Sequence, residues 1–330
     1  MLRVAILVVG ATALLPRPQP HIRSTTLRAA ALEWSPAGVA QADGTLVSKT
    51  FAYAPTLACA ADAGVTSIET SYVAVGAPDA PPVLLVHGFG ASSYHWRSNV
   101  NAIAEAGYRV YAVDLCGFGR SEKPVMDYDS DLWVEQCAAL LRDVAGCGSD
   151  ARAVVAGNSI GGFTALALGA LHPELVRGVA SLNGAGRFAP PPDVAAAEEA
   201  ARLAAEDAGP AAKALAALGA AVRRAVVAAA FVVTKQPLRI QQVLRQVYPV
   251  FPERCDDDLV ASIEYPARDP NAAEVFYRIV SRNSNGGSEP VDALIKQLKV
   301  PLLLLWGERD PWVVSALGDA AQAPLPRPYP

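Results

Sequence analysis

Short, nearly uninterrupted apolar runs set the strongest limit on what this chain can fold into. Val83-Leu84-Leu85-Val86, ending at His87, has no polar residue to turn toward water. A strand of that composition is buried on both faces, as strands of a parallel sheet are. Arg109 to Val113, Ala153 to Ala156, Gly178 to Leu182 and Leu302 to Trp306 repeat the pattern, and Ser67 to Val75 adds an alternating strand ahead of them. Helical stretches lie between, such as Trp96 to Ala106 and Leu132 to Val144. Strand alternating with helix at this spacing predicts an α/β chain with a doubly wound, mostly parallel sheet.

The alternation stops after Gly186. From Asp193 to Ser281 nearly every stretch is helix-forming, with a break at Gly209-Pro210, a boundary at Pro237, and Asp269-Pro270 as a cap followed by proline at the first helical position. The Leu, Val and Phe residues of the Ala-rich part give it enough apolar surface to pack, which predicts a helical cap rather than a linker. The expected organisation is a leader over 1–45, a first core segment over 46–186, a cap over 187–285 and a second core segment over 286–330.

Of 330 residues, 52% are hydrophobic and 18% charged, so the chain can bury a large core and is not a disordered polyelectrolyte. A formal net charge of −4 leaves no basic surplus for phosphates and excludes nucleic acid from the expected partners. The five cysteines, Cys59, Cys116, Cys137, Cys147 and Cys255, are odd in number and lack paired spacing, which predicts small buried hydrophobes and no metal site.

At the N-terminus, Arg3 precedes the apolar run Val4 to Leu15, 12 residues that are too few to span a bilayer but suit a signal segment, with Ala11-Thr12-Ala13 as a cleavage site. No transmembrane span is expected. Pro16 to Ala31 then carries Arg17, Arg23, Arg28 and Ser24-Thr25-Thr26 without an acid, a transit-like composition. The pair reads as a bipartite leader for a plastid, with secretion or mitochondrial import as alternatives.

The chemistry-bearing motif is Gly157-Asn158-Ser159-Ile160-Gly161, directly after one apolar run and opening a helix. Such a turn places a serine at a sharp, strained bend, and Gly157 and Gly161 leave room for the backbone to close around it. His87-Gly88-Phe89-Gly90 ends an earlier buried strand. Backbone N–H groups of Phe89 and Ile160 are the expected oxyanion donors, and His87 is expected to shape its loop rather than act as a base. Asp310 follows the last apolar run, at the strand end where catalytic groups of open α/β sheets gather, with Glu308 as the fallback acid.

These elements, with Asp114-Leu115-Cys116-Gly117-Phe118-Gly119-Arg120-Ser121 and His172-Pro173-Glu174, resemble the α/β-hydrolase superfamily over about residues 65 to 320. Gly-Asn-Ser-Ile-Gly-Gly, Ser181-Leu182-Asn183, Leu244 to Tyr248 and Asp310-Pro311-Trp312-Val313 look like the plastid pheophytinase-type hydrolases, which cleave a phytyl ester. The elbow is also similar to that of carbon–carbon bond hydrolases. The resemblance implies a serine hydrolase cleaving an ester of a bulky apolar substrate, a small apolar ester molecule rather than a macromolecular partner, with Ser159 as nucleophile, Asp310 as acid and no cofactor. Serine rather than aspartate at 159 argues against the epoxide hydrolases and dehalogenases of similar outline.

The departure is the base. Histidines stand at 21, 87, 95 and 172, all before Asp310, and 20 residues follow it, where a loop, helix and strand leading to a histidine need roughly 25. The final strand, helix and triad histidine are therefore expected to be missing, with an open sheet edge beside Leu302 to Trp306. Either an incomplete form of an active enzyme or a non-catalytic ligand-binding protein fits that departure.

Overall fold

A computed structural model describes residues 2–7, 33–35, 38–40, 48–281 and 289–313. Ten strands are present among them: β1 Leu2–Leu7, β2 Glu33–Ser35, β3 Gly38–Ala40, β4 Lys49–Tyr53, β5 Ile68–Val75, β6 Pro82–Val86, β7 Arg109–Val113, β8 Ala153–Asn158, β9 Val176–Leu182 and β10 Leu302–Gly307. β2 and β3 form a separate ribbon, and the rest make one sheet in the order β1-β10-β9-β8-β6-β7-β5-β4. The five strands from β7 to β10 run parallel, while β5, β4 and β1 are antiparallel to their neighbours.

β6 lies at the centre, with Val83 level with Val110 on one side and Val154 on the other. Because successive side chains of a strand point to opposite faces, Leu84 and Val86 enter the larger core cluster while Val83 and Leu85 enter the smaller one. All four are buried, and each contributes about 1.5–3 kcal/mol by leaving water. That two-sided burial explains the absence of a polar residue in this run.

Helices cover both faces. α1 Ala58–Asp62 precedes β5, and α2 Val100–Glu105 packs on β5 and β7. α3 Ser130–Ala139 and α4 Ile160–Leu171 pack together on the other face. The helix expected over Trp96 to Ala106 is shorter, because Ser92 caps a separate 3-10 turn, Ser93–Trp96, by accepting from the Tyr94 amide at 3.3 Å.

Between β9 and β10 the chain runs through α5 Pro192–Glu206, α6 Pro210–Thr234, α7 Pro237–Val247, α8 Asp257–Glu264 and α9 Ala272–Ser281. α10 Val291–Gln297 then packs on α4. Proline opens α5, α6 and α7, where its missing N–H costs nothing. α9 starts two residues later than Asp269-Pro270 predicts. The Asp269 carboxylate accepts from the Asn271 amide at 2.8 Å and its carbonyl from Ala272 at 3.0 Å, which makes a separate turn ahead of the helix.

The open edge expected beside Leu302 to Trp306 is closed. Leu2 pairs with Gly307 and Leu7 with Leu302, so the first apolar residues of the chain supply the ladder partner that an apolar strand requires. Most of the remaining leader, and everything after Val313, lies outside the described residues.

Candidate active site

Ser159 stands between β8 and α4 at φ 55° and ψ −119°, one of two described non-glycine residues with positive φ. Such a backbone costs on the order of 1–3 kcal/mol and persists only where its surroundings hold it. Those surroundings are explicit. The Ser159 amide donates to the Leu182 carbonyl at 3.0 Å, and the Ser159 carbonyl accepts from Phe163 and Ala185. A Cβ on Gly157 would lie 2.0 Å from the Gly161 carbonyl oxygen, and one on Gly161 would lie 2.3 Å from that of Val86. Both glycines are therefore sterically required.

The loop after β6 runs against this turn, since a Cβ on Gly88 would come within 3.2 Å of the Ser159 Cβ. Among the described residues, no carbonyl accepts a hydrogen bond from the amide of Phe89 or of Ile160. The Phe89 ring lies 5.6 Å from Phe118 and 5.7 Å from Phe276 of α9, which in turn lies 5.1 Å from Phe231 of α6. Aromatic contacts thus join the loop to the helices between β9 and β10.

His87 is fully buried beneath that loop. Its Nε2 accepts from the Leu115 amide at 3.0 Å, which fixes the proton on Nδ1, and Nδ1 donates to the Gly88 carbonyl at 2.7 Å. Burial pushes its pKa below the usual imidazole range. With both nitrogens occupied, the ring braces the loop. Asp114, also buried, accepts from the Ser93 amide at 2.6 Å and the Arg120 amide at 2.8 Å, tying the Asp114 to Ser121 turn to the same region.

Asp310 follows β10 and is half-buried, whereas Glu308 is exposed. The Asn183 side-chain amide donates to Asp310 Oδ2, and Oδ1 accepts from the amides of Trp312 at 2.8 Å and Val313 at 2.9 Å. Asn183, the other positive-φ residue at 46°, also accepts from the Gly307 amide at 3.1 Å. Sequence reasoning assigned no role to Asn183; its position one residue beyond the strand β9 was the available signal.

Phe89, Ser159, Asn183 and Asp310 line one cavity of about 820 Å³ whose walls are mostly apolar, among them Phe231, Ile240, Leu244 and Phe276. His95 is the only histidine lining it among the described residues, with its pKa pushed down to about 4 by burial and by the neighbouring His87 and Arg97. It is neutral at pH 7. His172 caps the far end of α4, about 20 Å along the helix from Ser159 at 1.5 Å per residue, beside Glu174. His21 lies outside the described residues. Among the described residues, no cluster of three His, Cys, Asp or Glu side chains could hold a metal ion.

A family profile described as alpha/beta hydrolase fold matches residues 81–327. The chain is 36% identical over 122 residues to a 2-hydroxy-6-oxo-6-(2'-aminophenyl)hexa-2,4-dienoic acid hydrolase of Metapseudomonas resinovorans, covering 36% of this chain and 40% of that one. It is 32% identical over 136 residues to the chloroplastic pheophytinase of Arabidopsis thaliana, covering 32% and 27% respectively. The aligned parts thus span well under half of these relatives. Among solved structures, a membrane phospholipase A described as a bacterial virulence factor superposes with a TM-score of 0.56 at 25% identity, covering 86% of this chain and 77% of that one. A probable hydrolytic enzyme of Pseudomonas aeruginosa PAO1 superposes at 0.59 with 22% identity and 84% coverage of each. With its central parallel strands, its serine in a strained strand-to-helix turn and a profile match over three quarters of its length, the chain belongs to the alpha/beta hydrolase fold family.

Proposed function

We propose that this chain is a serine hydrolase acting on an ester of a bulky apolar substrate. The observation that carries the reading is Ser159, held at positive φ at the mouth of α4 and facing an apolar cavity. In this reading the Ser159 hydroxyl attacks the ester carbonyl, and the unengaged amides of Phe89 and Ile160 receive the oxyanion at the positive end of the α4 dipole. Asp310 serves as the acid that orients a histidine. Among the described residues no histidine is bonded to Asp310, and the ring of His87 is fully engaged. The chlorophyll-derived phytyl ester is the finer substrate proposal, supported by the likeness to pheophytinase and by the apolar walls. That relative also supports a plastid location reached through residues 1–45, whose removal on import would free the β10 edge that Leu2–Leu7 covers, tested by a fluorescent fusion that must leave the cytosol of an algal host.

The test is hydrolysis of a short p-nitrophenyl ester by the 330-residue chain beside its Ser159→Ala variant. The expected result is slow turnover that vanishes in the variant, on the order of 10⁴-fold below an intact triad, because among the described residues no histidine is bonded to Asp310 to take the serine proton. Turnover that survives Ser159→Ala overturns the reading. Fast turnover lost in His95→Ala makes His95 the base. The likeness to the Metapseudomonas hydrolase supports a second reading, cleavage of a carbon–carbon bond, which a vinylogous diketo acid substrate distinguishes. Tight binding of apolar ligands without any Ser159-dependent turnover would instead mark a ligand-binding protein.

A further inference from the structure

α6 is the longest described helix, and of its 25 residues only Phe231 is buried. At 100° per residue, Leu215, Leu218, Val222, Val226 and Val233 fall within about 80° of one another on one face. They are 71%, 61%, 56%, 62% and 61% exposed. The opposite face is the one that packs. The Ala220 carbonyl accepts from the Tyr277 hydroxyl at 3.5 Å, Arg224 pairs with Glu274 at 2.6 Å, and the Phe231 ring packs tilted against Phe276 at 5.1 Å, all three partners lying on α9. The apolar stripe therefore points away from the protein and cannot turn inward without breaking these contacts.

Charge says what covers it. Residues 208–252 carry Lys213, Arg223, Arg224, Lys235, Arg239 and Arg245 and not one Asp or Glu, in a chain whose formal net charge is −4. Of the cations on and just after α6, Arg223 lies about 90° from the stripe and Lys213 and Lys235 on the side opposite it, the polar side of an interfacial helix, while Arg224 is held by Glu274. By length and composition α6 could cross a bilayer, yet Arg223 and Arg224 stand near its middle, where a span is least tolerant of charge. An apolar stripe on a cationic helix suits a position in the plane of the interface.

We propose that α6 docks flat on a membrane surface containing anionic lipids, with its stripe among the acyl chains and the cationic excess of residues 208–252 drawn to the headgroups. Phe231 and Thr234 in its last turn and Lys235 just beyond it line the cavity, and Val250 and Phe251 are both exposed and cavity-lining, so the docked helix adjoins an apolar rim. An apolar substrate can then pass from the bilayer toward Ser159. That last step rests on the hydrolase reading; the docking does not.

Flotation of the purified full chain tests it, using vesicles of phosphatidylcholine alone or with about one third phosphatidylglycerol. The chain and its Ser159→Ala variant should float with the anionic vesicles and at least about tenfold less with neutral ones or in high salt. The combined variant Leu218→Glu, Val222→Glu and Val226→Glu should stay at the bottom with an unchanged thermal melt. If that variant fails to fold, Leu218→Ser with Val226→Ser should show the same loss in part. Flotation equal to wild type in these variants, no flotation of the wild-type chain, or a stripe-dependent dimer that leaves vesicles unbound overturns the proposal. Loss of esterase turnover alone leaves it standing.

Discussion

Asn183 joins two strand ends: its side-chain amide donates to the Asp310 carboxylate beyond β10, while its carbonyl oxygen accepts from Gly307 at the end of that strand. The turn after β9 thereby sets where the carboxylate stands relative to Ser159. Its own backbone is strained at φ 46°.

Asn183→Ala should cost about 2–3 kcal/mol, from two lost hydrogen bonds and a left-handed backbone that alanine resists. Asn183→Gly should recover about 1 kcal/mol of that, because only the hydrogen bonds are then missing. Denaturant unfolding of both variants checks the split, and equal losses would mean the backbone strain contributes nothing.

Gly161→Ala should be far more damaging than Gly90→Ala. The first places a Cβ 2.3 Å from one carbonyl oxygen and 2.5 Å from another, whereas the second meets nothing within 4 Å and bears only its φ of +68°. Expected losses are above about 3 kcal/mol for the first and about 1 kcal/mol for the second. Thermal melts compare them directly.

His87→Phe should destabilise the chain by about 2–4 kcal/mol, since the Leu115 amide loses its buried acceptor and the Gly88 carbonyl its donor. Turnover should fall in step with unfolding. A folded variant of unchanged stability that has lost turnover would show that this ring handles the serine proton.

Stability should fall in acid. His95 titrates near 4 in the folded chain, below the ordinary 6.5, because burial disfavours its charged form, and His87 is shifted the same way. Between those values the unfolded chain binds more protons, so stability present above pH 6.5 is lost as pH falls toward 4, at most about 3 kcal/mol from His95. Unfolding free energies of the wild type and His95→Phe from pH 7.5 to 4.5 test this. The variant should show the shallower slope.

Much of the fold was legible in the sequence because its signals are local. An apolar run such as Val83 to Val86 requires burial on both sides, and the glycines flanking Ser159 mark a strained turn whatever lies elsewhere, so the parallel sheet and the turn follow from neighbours in the chain. What only the tertiary structure decided joins distant segments. Asn183 meets Asp310 across 127 residues, and His87 has both nitrogens engaged because Leu115 approaches from another strand end. Leu2–Leu7 closes the edge of β10, and α6 turns its apolar stripe outward because α9 holds the opposite face. Hydropathy along a chain shows that a residue must avoid water or find a partner, but which partner it finds depends on the packing of elements far apart in sequence.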